Sequence, residues 1–373
     1  MRVILVSFFA LWLGISPASA EDWKLFHRWL VVMNPSTNPA EQVGRFFVGG
    51  LQVEEDRFLV AGLAPQVAAR SIRTGQVLWE SPLKGPSQSS WVVEGDEVFG
   101  ADTKGYAYAL NRRTGESLWE RRVRGIFFGE ALVDRERFYL MNSQGQLVAL
   151  DRHTGEWLWQ QSDTEASLFS LISGQPLAFF QNRLLAGFPS GRLQGLQAST
   201  GERLWTDSFG TAGVDSMGLN DLRSIRSEGE YLVAASFGGI LRAWKAQAGS
   251  RKLLWEKSVG VHSSPVIDQA SGSVFVSDRE GRVQKIELET GNLIWEYSLA
   301  RGLASEVALG SEEVWFGSSE GSLFVLDRRT GKPLLSSTEL GSGIFHAPVI
   351  VAEKEVLVVT SRGILRRVFL QKI

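Results

Sequence analysis

Side chains able to do chemistry are sparse in this 373-residue sequence, and their spacing builds no catalytic motif. There are 4 histidines and no cysteine. Within the sequence this excludes a thiol nucleophile, a thiolate metal centre, a disulfide framework and a lipid carried on cysteine. His262 and His346 each precede a short apolar run, in the sixth and eighth of the repeating units described below. A polar residue satisfied at a strand end accounts for them better than a shared metal. His153 stands in a turn and is expected in solvent. Glu54-Glu55 and Glu312-Glu313 are paired acids of the kind that share a proton in acid–base chemistry. Both fall where a hairpin turn would put them in water. Arg112-Arg113, Arg121-Arg122 and Arg366-Arg367 are scattered, without an aromatic groove between them. With a net charge of −2 there is no field to hold a nucleic acid. No HExxH, GxSxG, P-loop or EF-hand string occurs. The expectation is a chain with no catalytic residue, no metal ligand and no cofactor.

The elements that carry these residues follow a strict beat. Thr-Gly-x-x-x-Trp recurs intact with its tryptophan at Trp79, Trp119, Trp159, Trp205 and Trp295. A loosened copy runs from Ala248-Gly249 to Trp255, and Thr330-Gly331 leads to Leu335 in place of the indole. Steps between these positions are 40, 40, 46, 50, 40 and 40 residues. Short β-branched or aromatic runs precede each copy and one more follows the last, eight in all: Phe58–Ala61, Val98–Ala101, Phe138–Met141, Leu184–Gly187, Tyr231–Ala234, Val274–Ser277, Val314–Gly317 and Val356–Val359. Between run and Thr-Gly lies a glycine followed by alternating apolar residues, as in Gly145-Gln-Leu-Val-Ala-Leu150.

Each unit therefore predicts four strands: one after each Trp (263–267 is typical), the apolar run, the strand opened by glycine, and the strand bearing the Trp. The Thr-Gly glycine closes the last hairpin as a left-handed residue. A four-stranded sheet of about 40 residues cannot cover both its faces, so units must stack. Radial stacking gives an all-β, eight-bladed β-propeller of four-stranded antiparallel blades. A tryptophan on each outer strand would fill the gap to the next sheet. The last unit, from about Gly341, has only three strands. Leu25–Val32 supplies the fourth, with Trp29 as its indole, so the last blade is closed by the N-terminal strand. Residues 1–20 read as a secretory signal peptide: Arg2, an apolar run from Val3 to Ile15, and Ala18-Ser19-Ala20. Residues 21–373 are then a single propeller domain.

Thr-Gly-x-x-x-Trp preceded by Gly-x-Leu-x-Ala-Leu resembles the pyrroloquinoline-quinone-type propeller repeat. The layout of eight units after a leader is most similar to the BamB family of the bacterial outer-membrane β-barrel assembly machinery. The resemblance implies a non-catalytic periplasmic scaffold, a monomer within a complex. It would bind a BamA-like barrel subunit and, further, nascent outer-membrane proteins. Two departures stand out. The family is usually lipidated on a cysteine, and here Glu21 follows the leader, so no direct lipid anchor is implied and any hold on the outer membrane passes through a partner. The family's Leu-x-Leu-Arg loop appears as Phe169-Ser170-Leu171-Ile172, and its Asp-x-Asp segment as Asn220-Asp221-Leu222-Arg223. The rival readings are a propeller scaffold of another envelope complex and a quinone-binding dehydrogenase-like protein. The dehydrogenases that share these repeats are longer, and many carry a cysteine pair.

Loop lengths point to a surface independently. The interval from Trp to the next apolar run is 19 residues after Trp79, Trp119, Trp255 and Trp295, but 25 after Trp159 and 26 after Trp205. Both expansions belong to adjacent fourth-to-first-strand connections, which leave a propeller on one rim. Segments 161–175 and 206–224 therefore form one expected patch, with Leu168, Phe169, Leu171, Asn220, Asp221, Leu222 and Arg223 as partner-binding residues beside Met217, Leu219 and Arg226. Tolerated insertions with no role are the alternative. Loops on a rigid frame commonly carry recognition.

Overall fold

Thirty-two strands form eight four-stranded sheets, and in seven of them the strand order across the sheet is the order along the chain. The computed structural model describes residues 23–32, 51–62, 64–162, 176–209, 221–247 and 250–373. The leader expected over 1–20 lies outside them. Blade 2 is representative, with strands Val92–Glu94, Glu97–Ala101, Tyr106–Asn111 and Ser117–Arg122 paired antiparallel throughout. Each second strand begins within one residue of its predicted run. These runs are continuously apolar because neighbouring blades cover both their faces: Phe138, Tyr139, Leu140 and Met141 are all buried. Most first strands are shorter than expected, down to Leu132–Val133, though that of blade 5, Leu222–Glu228, is longer. In blade 6 the predicted 263–267 becomes Val266–Asp268, because Pro265 has no N–H for the ladder.

The eighth sheet joins the two ends of the described chain. Trp23–Val32 pairs antiparallel with Ile364–Lys372, from Trp23↔Lys372 to Val32↔Ile364, with a bulge between His27 and Trp29. The strand starts two residues before the expected Leu25. It covers an edge that would otherwise stand open.

Among the described residues the core is divided into clusters lying between successive blades. Trp119 and Phe99 of blade 2 pack with Phe138, Leu140 and Val148 of blade 3. The last-to-first junction holds Leu357 and Leu365 against Phe58, Val60 and Ile72, with Trp29 packed on them. The predicted indoles lie at the gaps, and all but Trp205 also donate a hydrogen bond across one. Trp29 Nε1 donates to the Ile72 carbonyl at 2.9 Å, Trp79 to Arg112 at 2.9 Å and Trp119 to Arg152 at 2.8 Å. Trp159 donates to Ala198 at 3.0 Å, Trp255 to Leu288 at 2.8 Å and Trp295 to Arg328 at 3.2 Å.

The Thr-Gly glycine has a second task that its turn role does not reveal. Gly155 has φ +70°, and a Cβ there would lie 2.7 Å from Cε3 of Trp119 in the preceding blade. The residue therefore closes its own hairpin and gives the neighbour's indole a flat seat. At some junctions the residue accepting the indole bond also sends its side chain back. Arg152 meets Glu97 at 2.7 Å, Arg328 meets Asp268 at 2.5 Å, and Arg112 pairs with Glu54.

Blades 4 and 5 meet differently. Blade 5 carries the loosened copy, and its outer hairpin is long, Ile240–Gln247 with Ser250–Ser258. The Trp205 indole N–H has no acceptor among the described residues. Its ring is covered instead by the Arg251 guanidinium at 3.3 Å, and Arg251 pairs with Asp207 at 2.5 Å. At the seventh junction, where Leu335 replaces the indole, the fully buried Trp315 packs with Leu340 and Ile344.

Candidate partner-binding rim and central channel

The expected patch is partly re-sorted by the fold. Leu168, Phe169, Leu171 and Asn220 lie outside the described residues, as do Met217 and Leu219. Asp221 and Leu222 are fully buried, so neither presents a side chain to a partner. The cause is local: the first strand of blade 5, Leu222–Glu228, starts here, and Leu222 packs among Phe209, Ile225, Leu232 and Trp244. The Asp221 carbonyl accepts the Phe237 N–H at 2.8 Å, tying strand entry to the next turn. Arg223 is the patch residue that reaches the rim. It lies half-buried, 5.9 Å from the centroid of the Phe237 ring.

Arg223 has company there. Arg279, on the turn after Ser273–Ser277 in blade 6, lies 4.1 Å from the centroid of the same ring and donates to the Phe237 carbonyl. His262, on the connection into blade 6, sits beside both. Burial first, then the charges of Arg223 and Arg279, hold its pKa below the ordinary histidine range. Burial and Arg279 likewise lower the pKa of Arg223. His262 is thus a strand-end residue as expected, but its neighbours are cations.

Arg226 leaves the patch altogether. Its guanidinium lies 2.5 Å from Glu130 and 3.9 Å from Glu306. Glu130 belongs to blade 3 and Glu306 to blade 7, neither adjacent to blade 5, so the contacts cross the central channel. The sequence held a signal for this: Glu130 and Glu306 stand 11 residues after Trp119 and Trp295, equivalent points of two opposed blades. The channel strips water from Glu306 and raises its pKa to about 7, opposed by Arg226 and reinforced by Glu130.

The ordinary value for that carboxyl is 4.5. Between about 4.5 and 7 the folded ring therefore holds a proton that the unfolded chain has lost. The stability this gives is complete at low pH and disappears as pH rises through 7. Glu306→Gln should melt above wild type at pH 8 and level with it at pH 4.5, Arg226 keeping Glu130. Parallel melting curves across that range would remove this account of the channel.

The remaining chemical candidates fall into structural roles. His153 is exposed, with Glu97 at 3.8 Å. His346 has its pKa lowered by burial alone. Glu54 pairs with Arg112 as part of an inter-blade lock. Glu313 is a correction: it opens the second strand Glu313–Gly317, is buried, and faces Lys354 at 3.8 Å rather than water. No three His, Cys, Asp or Glu side chains gather as a metal site among the described residues. No helix among the described residues is long and apolar enough to cross a membrane.

The ring and its indole-seating repeat define an eight-bladed β-propeller of the pyrroloquinoline-quinone type. The chain belongs to the family described as outer membrane protein assembly factor BamB, whose model matches residues 63–297 and 279–369. An outer membrane protein assembly factor BamB of Bordetella pertussis is 27% identical over 204 residues, 52% of this chain and 51% of the relative. The chain thus spans about half the length of the curated relatives it matches. Among solved structures, BamB from Moraxella catarrhalis superposes with a TM-score of 0.77 at 17% identity, covering 93% of this chain and 100% of the other. Quinohemoprotein alcohol dehydrogenase from Comamonas testosteroni gives 0.72 at 12% identity, covering 95% and 77%. At such identities the likeness concerns the fold.

Proposed function

We propose that this protein is a non-catalytic scaffold of outer-membrane β-barrel assembly, holding a BamA-like barrel subunit on one rim of its ring. The observation that carries the reading is the family match running through nearly all of the repeats. In this reading residues 1–20 direct export and are removed, and the domain from 21 to 373 works in the periplasm. With no cysteine in the sequence, it is held at the outer membrane through its partner. Nascent outer-membrane proteins are the further clients, and the working form is a monomer within the complex.

The likeness to a quinohemoprotein dehydrogenase favours a second reading, a cofactor-binding ring. The scaffold reading accounts better for the channel, where Arg226 lies between two carboxylates that are committed to it. Affinity purification of the tagged protein from detergent-extracted envelopes tests the proposal. The barrel subunit should co-elute, and an absorbance scan after adding quinone and calcium should stay flat. Elution with a different envelope complex, or a saturable absorbance change, would count against it.

A further inference from the structure

Arg223, Arg279 and His262 converge on the Phe237 ring from three separate segments. Phe237 and Arg279 stand on the turns between second and third strands of blades 5 and 6, while Arg223 and His262 stand on the entries to their first strands. In a propeller these connections share one rim. Arg223 stands three residues after segment 210–220, part of one of the two expanded connections.

Among the described residues their charge is uncompensated. Several part-buried arginines elsewhere face acids: Arg152 with Glu97, Arg226 with Glu130, Arg251 with Asp207, Arg328 with Asp268 and Arg367 with Glu355, while Arg70 and Arg366 bond backbone carbonyls. Arg223 and Arg279 have no carboxylate among the described residues, and they lie near enough to each other to be mutually unfavourable. Like charges held together without a counter-charge fit a surface shaped for an incoming anion. Arg279 is fixed by its bond to the Phe237 carbonyl, which orients its planar fork. Guanidinium forks match a carboxylate with paired N–H donors, and the imidazole offers a third donor. The half-buried Phe237 ring gives an apolar floor beside them. Arg279 is exposed, so the site is open, as a peptide requires, rather than an enclosed cradle for a free ion.

We infer that the rim of blades 5 and 6 carries a docking site for an acidic segment of a protein partner, one carboxylate of which sits between Arg223 and Arg279 beside Phe237. This deepens the scaffold reading and rests on it for the partner being a protein.

The test is fluorescence anisotropy of labelled octaglutamate against the purified protein. Octalysine serves as the reversed-charge control and inorganic phosphate as competitor. Octaglutamate should bind, octalysine should not, and added salt should weaken binding steadily. Arg223→Gln with Arg279→Gln should weaken it at least tenfold. The lysine pair at the same positions should retain part of the affinity, and Arg121→Gln with Arg122→Gln should bind as wild type. Circular dichroism melting confirms that each variant is folded. Equal binding by the glutamine pair, or an equal loss in the blade 2 control, overturns the inference. Displacement by phosphate at the same carboxylate-equivalent concentration overturns it too, since that marks a free-anion site. Absence of octaglutamate binding with the barrel subunit still co-eluting defeats this inference alone. The reverse pair of results defeats the scaffold reading and leaves the site standing.

Discussion

A chain lacking residues 23–32 is expected to lose its whole ring in one step, and not to fray by a single blade. The deleted strand supplies the outer edge of the last sheet, where it pairs from Trp23↔Lys372 to Val32↔Ile364. It also supplies Trp29, which stacks on Phe58 of blade 1 at 6.1 Å and donates to Ile72 of the same blade. Without it, blade 8 exposes the edge of Ile364–Lys372, and the junction cluster of Phe58, Val60, Ala68, Leu357 and Leu365 loses its lid. An open solenoid tolerates a weak end because each repeat answers only to its neighbours. A closed ring has no end to sacrifice. Removing a buried Trp by itself costs about 3–5 kcal/mol, against a total stability of about 5–15 kcal/mol for a typical domain. Losing the strand as well should exhaust that margin. Near-UV circular dichroism of the truncated chain should show no cooperative transition at the wild-type temperature, and a synthetic 23–32 peptide added in trans should restore part of it. A truncate melting at the wild-type midpoint would show that the ring does not depend on this strand.

The second large effect is expected from one indole in the middle of the ring. Trp119→Ala should destabilise by about 3–5 kcal/mol. It removes the ring packed on both Phe99 and Phe138 and leaves the Arg152 carbonyl without its indole donor. Leu118→Ala, one residue earlier on a side chain 49% exposed, should cost less than about 1 kcal/mol. Gly155→Ala should rival the tryptophan change, though it adds only a methyl group. It forces an L side chain to φ +70°, at a cost of about 1–2 kcal/mol, and drives that methyl into Cε3 of Trp119. Urea denaturation of the three variants measures all of this. If Leu118→Ala proved as damaging as Trp119→Ala, the indole would not be the inter-blade wedge.

The repeat made the ring legible before any coordinates, because one requirement is written out once per blade: a hairpin glycine and an indole at a fixed distance. What the spacing could not show is that the glycine of one blade seats the indole of the blade before it. That contact joins Gly155 to Trp119 across sheets and leaves no mark within a single unit. The closing strand was legible from a deficit, since three strands at one end needed a fourth from the other. The rim was read less well. Asp221 and Leu222 follow a long connection, as surface residues do, but the burial of Leu222 in the core between blades 4 and 5 draws both inward. Arg223 and Arg279 are distant in sequence and meet only because blades 5 and 6 are neighbours. Glu313 misled for a related reason: an acid beside a turn looks solvated until the strand it opens turns it inward.

The working surface, in this account, is the rim and not the channel. Removing six residues from segment 163–175 and seven from 210–220 would return both connections to the 19-residue interval of the regular blades. Capture of the barrel subunit from envelopes by this shortened protein, beside wild type and beside Glu306→Gln, is the most direct measurement. The account predicts that the shortened protein melts with wild type yet captures nothing, while the channel variant captures fully. Undiminished capture by the shortened ring, or capture lost only in the channel variant, would contradict it.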